Sequence, residues 1–201
     1  RQMCIRDSRI GADYFPSKRT VIGVVLNGSG VGIERMNDNN AVVFDQQGKP
    51  ASTFYTVANN NDFNNNLVGN VNFKHSFDSL GQELTADFDY GSYWSGSNAQ
   101  TGTKYFKNDG TTLAPDYVLD GVQRGSLKLQ SFKTDYVRPF KKQSKLEAGF
   151  KWSKVKTDND AKFFDVSNGT RIVDASKTNQ FLYEEENFAT YVNYAKQWKQ
   201  W

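Results

Sequence analysis

The sequence is poor in the residues from which most chemical sites are built. It holds one cysteine, Cys4, and one histidine, His75. A single thiol supports neither a disulfide framework nor a cysteine-based metal site. A single imidazole with no second histidine, and only the distant Cys4 for a thiol, offers neither a zinc set nor a nucleophilic triad, so His75 reads as a surface or interface residue. No catalytic constellation is visible, and the expectation is a protein that is not an enzyme and carries no cofactor. No run of 18 or more apolar residues exists, which excludes a transmembrane helix. Lys and Arg number 25 against 22 Asp and Glu, and the basic residues are scattered. That is no nucleic-acid footprint. Aliphatic residues are few and the mean hydropathy is −0.70. This value does not argue against a membrane protein, because only alternate residues of a membrane-spanning strand face lipid.

What the chain does contain is aromatic and polar residues in alternation. Phe, Tyr and Trp make up 14% of it, and period-2 patterning recurs where helical periodicity is nearly absent. From Glu83 to Trp94, Leu84, Ala86, Phe88, Tyr90 and Trp94 share one parity; Glu83, Thr85, Asp87, Asp89 and Gly91 share the other. Successive side chains of a strand point to opposite faces, so this strand has an apolar wall and an acidic wall. Leu67 to Phe77 matches it and is joined through a turn at 78–81. Lys145 to Lys156 repeats the pattern, with Leu146, Ala148, Phe150 and Trp152 against Glu147, Gly149, Lys151 and Ser153. Its partner, Ser126 to Val137, has mixed parity: Leu127 and Leu129 oppose Phe132, Thr134 and Tyr136. A bulge is expected there. Thr20 to Gly28, Phe181 to Ala195 (also of ambiguous parity) and a short strand at Ile10 to Tyr14 complete the set.

The connections at 15–19, 78–82 and 138–143 are short. Those at 29–50, 96–123 and 157–178 are long and rich in Gly, Asn, Asp and Thr. Strict alternation of short and long is the topology of an outer-membrane barrel. The expected fold is therefore all-β, an antiparallel up-and-down meander of about six to seven strands forming an open part of a transmembrane β-barrel. Lipid-facing candidates are Leu84, Ala86, Phe88, Tyr90, Leu146, Phe150 and Trp152. Lumen-facing candidates are Glu83, Thr85, Asp87, Asp89, Glu147 and Lys151. Aromatic girdles are expected from Tyr14, Phe15, Phe73, Phe77, Tyr136, Phe140 and Trp198 at the short-turn end, and from Tyr90, Tyr93, Trp94, Trp152, Phe181 and Tyr183 at the other. Lys141, Lys142 and Lys145 are placed to snorkel toward headgroups. Asn59 to Asn61 and Asn64 to Asn66 read as strand projecting beyond the membrane, and Glu184 to Glu186 as a solvated stretch above it. Asp158, Asn159, Asp160 and Asp165 are oxygen donors but lack the spacing of a calcium loop. A soluble β-sandwich binding or adhesion module and a passive porin-like barrel are the alternatives.

Residues 1–8, Arg1 to Ser8, read as an in-frame translation of a sequencing-library adapter, and the fold assignment starts at residue 9. On this reading residues 9–201 are part of a longer barrel domain, cut at both ends.

Three stretches resemble the barrel domain of TonB-dependent receptors, in the branch called outer-membrane β-barrel family proteins. They are Gly11-Ala12-Asp13-Tyr14-Phe15-Pro16, the run from Arg138 to Gly149, and Tyr183 through Tyr191. The resemblance extends over residues 9–201. It implies a large barrel with a plug domain and location in the cell outer membrane. It also implies import of a small-molecule or glycan nutrient. The implied partners are outer-membrane lipid and, through regions outside this chain, an energy-coupling inner-membrane complex.

Overall fold

A computed structural model describes residues 2–141 and 144–197. These residues form one antiparallel sheet of eight strands and no helix. The strands are β1 (Gln2–Ser17), β2 (Thr20–Phe44), β3 (Pro50–Ser76), β4 (Glu83–Lys107), β5 (Thr112–Phe140), β6 (Ser144–Asp165), the two-residue β7 (Ile172–Val173) and β8 (Asn179–Lys196). Each strand from β1 to β6 pairs with its sequence neighbour, and the far edge of β6 pairs with β7 at one end and with β8 along its length. A single sheet with no second layer rules out the β-sandwich alternative. The architecture is an all-β meander, a sector of barrel wall.

The strands are far longer than the sequence pattern indicated. β3 has 27 residues and β5 has 29, so β3 extends roughly 90 Å at about 3.3 Å per residue. A tilted strand crosses a bilayer in about 9–11 residues. Most of the predicted long loops at 29–50 and 96–123, and the first part of that at 157–178, is therefore paired strand. Turn chemistry inside those segments explains the correction. At 45–49 the Asp45 carboxylate accepts from the amides of Gln47 and Lys49, and Gly48 takes φ +75°. At 108–111 Asp109 caps Thr111 and Gly110 takes φ +84°. Left-handed glycine after a polar residue closes a tight hairpin, so the chain turns back within a few residues. Only 166–178, which carries β7, remains an extended connection.

Two other expectations are corrected by the pairing. The strand at Ile10 to Tyr14 spans Gln2–Ser17, so residues 2–8 lie within β1 opposite residues 28–34 of β2. The expected bulge in Ser126 to Val137 is absent: β5 runs in unbroken register with both β4 and β6 there, and the β4–β5 irregularity lies instead near Thr103 and Tyr105. The mixed parity has another cause, described below.

Among the described residues no apolar side chain is buried, and Phe88, Val71, Leu26 and Phe188 are all exposed. The accessible surface is 14388 Å², where a compact protein of this mass would show about 9,600 Å². An all-exposed apolar band has no stabilising burial in water. In lipid the same band is matched to its solvent.

Candidate functional site

The register assigns every strand residue to one of two faces, because directly paired residues point the same way. One rung runs Ala12, Val24, Val71, Phe88, Phe132, Trp152, Phe188 across β1 to β6 and β8. The rung toward the short turns runs Tyr14, Ile22, Phe73, Ala86, Thr134, Phe150, Thr190; the next reaches Leu84, Tyr136, Ala148 and Val192. All seven lipid-facing candidates lie on this apolar face. From Leu84 to Trp94 the band spans roughly 34 Å along the strand, which a strand tilt of about 45° reduces to about 24 Å, the height of a barrel's apolar belt. His75 lies at its lower margin, its Nδ1 2.9 Å from the Thr20 hydroxyl and its ring edge-on to Phe77 at 4.6 Å.

All six lumen-facing candidates lie on the opposite face, and there the side chains bond to one another. Lys74 pairs with Glu83 at 2.7 Å, Lys133 with Asp135 at 2.7 Å and Lys145 with Glu147 at 2.6 Å. Asn70 donates to Asp89 at 2.7 Å, and Asn193 to Glu147 at 3.0 Å. Tyr191 lays its ring over Gly149, where an added Cβ would lie 2.2 Å from the ring, and donates its hydroxyl to Asp135 at 2.6 Å. These bonds pair much of the charge of the polar wall within the wall itself. Leu127 and Leu129 also lie on this face, beside Tyr93 and Val155. That apolar island within the polar wall accounts for the mixed parity of β5.

The girdle assignment is corrected at three residues. Tyr14, Phe73, Tyr136, Phe140, Tyr90, Trp94 and Trp152 project from the apolar face, whereas Tyr93, Phe181 and Tyr183 project from the polar one. Trp198 and Lys142 lie outside the described residues. Conversely, Phe132, Phe188, Val192 and Tyr194 belong to the apolar band, although sequence parity left their strands unassigned.

Above the band the same face turns polar. Trp152 donates its indole N–H to Glu186 at 2.6 Å, and Lys154 and Lys156 both pair with Glu184. The indole keeps its ring in the band and its N–H in a polar layer, as an interfacial Trp does. The Glu run is thus partly engaged with β6. Of the four oxygen donors on β6, Asp158 and Asp160 share one face and Asn159 takes the other; Asp160 pairs with Lys162 at 2.7 Å. They do not converge, and no metal-holding group of His, Cys, Asp or Glu occurs among the described residues.

Further out, two rungs enclose an open recess of about 960 Å³. One rung is Glu34, Asn61, Asn98, Val122; the other is Met36, Asn59, Gln100, Asp120. Arg171, from the 166–178 connection, lies over the Phe164 ring at 3.8 Å and pairs with Asp120 at 3.6 Å. On the polar face behind it, Asp62 pairs with Arg35; hydrogen bonding from Ser97, and then from Arg35, outweighs desolvation and holds Asp62 below the usual carboxylate range.

The 166–178 connection is folded on itself around Asp174. Lys177 and the Ser176 hydroxyl lower its pKa from 3.8 to about 2. A carboxyl depressed on folding stabilises above its unfolded pKa and loses that contribution as pH falls through the folded value. The segment is therefore expected to keep its order down to pH ~4 and to loosen between ~4 and ~2. Exchange of the Ser176 and Thr178 amides, corrected for intrinsic rates, would show it. Asp174→Asn should remove the pH step; an unchanged step in that variant would dissociate Asp174 from it.

A family model described as the outer membrane protein beta-barrel family matches residues 75–201, from the end of β3 through β8. No curated protein matches the chain. With its apolar belt, its polar wall and its coreless sheet, the chain belongs to the outer membrane protein beta-barrel family and is located in the outer membrane.

Proposed function

We propose that this chain is a sector of the barrel wall of an outer-membrane receptor of the TonB-dependent type, which binds an extracellular nutrient and imports it by energy-coupled transport. The observation that carries this reading is the height of the hairpins. β3 continues about 15 residues beyond Asn65, well past the rung of Trp94, and that paired, polar extension is more than a passive pore wall needs. It supplies a rigid surface for first contact with a small molecule or glycan. The remaining contributions, a plug and the contact with an energy-coupling inner-membrane complex, belong to regions outside this chain. Catalysis, cofactor and nucleic-acid binding have no part in the proposal.

A passive porin-like barrel would share the apolar belt and the polar wall, and dependence of uptake on the proton gradient separates the two. An energy-coupled receptor should lose at least 10-fold in nutrient accumulation when the proton gradient is collapsed. A hairpin trimmed to join residue 36 to residue 59 should abolish ligand binding while the barrel still assembles. Uptake indifferent to the gradient would sink the transporter reading in favour of the porin.

A further inference from the structure

We propose that the recess lined by Asn59, Asn61, Asn98, Gln100, Asp120 and Arg171 binds the neutral sugars of a glycolipid headgroup of the outer leaflet. The inference rests on the assignment of the apolar face to lipid. The register carries the argument. The two rungs of the recess have the same parity as Leu84, Phe88 and Trp94 on β4, and as Val24 and Val71 on β2 and β3. The recess therefore opens on the side of the wall that meets the membrane, not on the side of the Asp87 and Lys133 ladder. Asn98 and Gln100 stand four and six residues beyond Trp94, about 13–20 Å along the strand. A headgroup several sugars long, rooted in the leaflet below, would lie at that height.

The lining selects the chemistry. Four carboxamides converge there, Asn61 opposite Asn98 and Asn59 opposite Gln100. Asn59 and Asn61 each offer a donor and an acceptor at one end, while Asn98 accepts from Arg124 and presents its Nδ2 donor, and Gln100 donates to Asp120 and presents its Oε1 acceptor. The mixed set suits hydroxyl groups that both donate and accept. Met36 and Val122 supply apolar surface for the C–H faces of a sugar ring. An anionic group is disfavoured because the cations around the recess are engaged: Arg171 by Asp120 and the Phe164 ring, Arg35 by Asp62, Lys162 by Asp160, and Arg124 by Asn98, the carbonyls of Ser97 and Gln123, and the Phe63 ring. Within the lining Glu34 and Asp120 balance Arg35 and Arg171, so the recess has no excess positive charge. The phosphates of a charged glycolipid are thus not what it reads. Anchoring in the leaflet raises the local headgroup concentration, so modest individual contacts suffice.

The test uses the intact barrel in nanodiscs, with native mass spectrometry to count retained lipid. A glycolipid bearing its complete oligosaccharide is compared with the same lipid truncated to its phosphorylated anchor. The complete form should be retained about 10-fold better, and Asn61→Ala with Asn98→Ala should remove that preference, a loss of about two hydrogen bonds. Asn64→Ala, on the opposite face, should leave it intact. Gln100→Trp, which fills the recess without deleting the other amides, should reproduce the double variant. Equal retention of complete and truncated lipid overturns the proposal. So does competition by free oligosaccharide at the same affinity, which would make the recess a soluble-glycan site. The lipid-side assignment is tested separately by Phe88→Arg. If that variant assembles normally, the wall has been read inside out; if it fails while the recess variants behave as wild type, only the glycolipid site is lost.

Discussion

Phe88→Arg should prevent stable assembly, while Ser131→Arg, one rung away on the other face, should assemble as the parent does. Phe88 sits mid-band between Val71 and Phe132, and Ser131 lies directly opposite Asp89 on the polar wall. An arginine at the bilayer midplane of a barrel costs about 2–4 kcal/mol. The lost contact of the Phe88 ring with its two apolar neighbours adds to that. At position 131 the same cation gains a carboxylate neighbour and stays among polar groups. Equilibrium unfolding in lipid, followed by the heat-dependent gel shift of barrels, would read both. Equal midpoints would mean that the apolar face is not in lipid.

The second large effect is expected at Gly149. Gly149→Val should destabilise the wall by about 2–3 kcal/mol, through overpacking and the loss of a charge-assisted hydrogen bond. The added Cβ would meet Tyr191 at 2.2 Å and the Asp135 carboxylate at 2.6 Å. Tyr191 would have to leave, breaking its 2.6 Å bond to Asp135 and opening the β6–β8 contact. Tyr191→Phe should cost less, since the ring remains over the glycine. If the ring is the obstacle, Gly149→Val in a Tyr191→Ala background should be nearly free of further cost, a non-additivity that a double-mutant cycle measures. Additive costs would place the strain in the backbone instead.

Glu83 to Gly91 and Lys145 to Ser153 could be read to the residue because one parity there is apolar and the other polar or glycine. The fold class followed from that alternation, and the register places the two sets of wall candidates on opposite faces of the sheet. β5 and β8 could not be read so. Leu127 and Leu129 on the polar face make the parity of β5 self-contradictory until its partners are known. In β8 a Glu run and aromatics on both faces hide the period. The outer hairpins were missed for a different reason. Asn, Gly and Thr suggest loops by composition, yet their backbone pairs as well as any other once neighbouring strands offer a ladder. The local clue was present in Asn108-Asp109-Gly110, a hairpin signal. The recess could not have been found from sequence, because it needs the alignment of four strands and the return of Arg171 onto Asp120.

The edges of the sheet bear on its existence in lipid. Among the described residues β1 pairs only with β2, and every residue of β8 except Ala195 is exposed. An unpaired strand edge in hydrocarbon leaves each N–H and C=O unsatisfied, so both edges require strand partners within the bilayer.

Between those edges the pairing from β1 to β6 is strictly sequential, and each strand lies antiparallel beside its predecessor. Adding or removing a complete hairpin would disturb no other register and invert no face. Copying a single strand would exchange the two ends of everything after it. A wall wired in this way changes girth in steps of two strands, so gene duplication could widen such a barrel without redesigning any strand already in it.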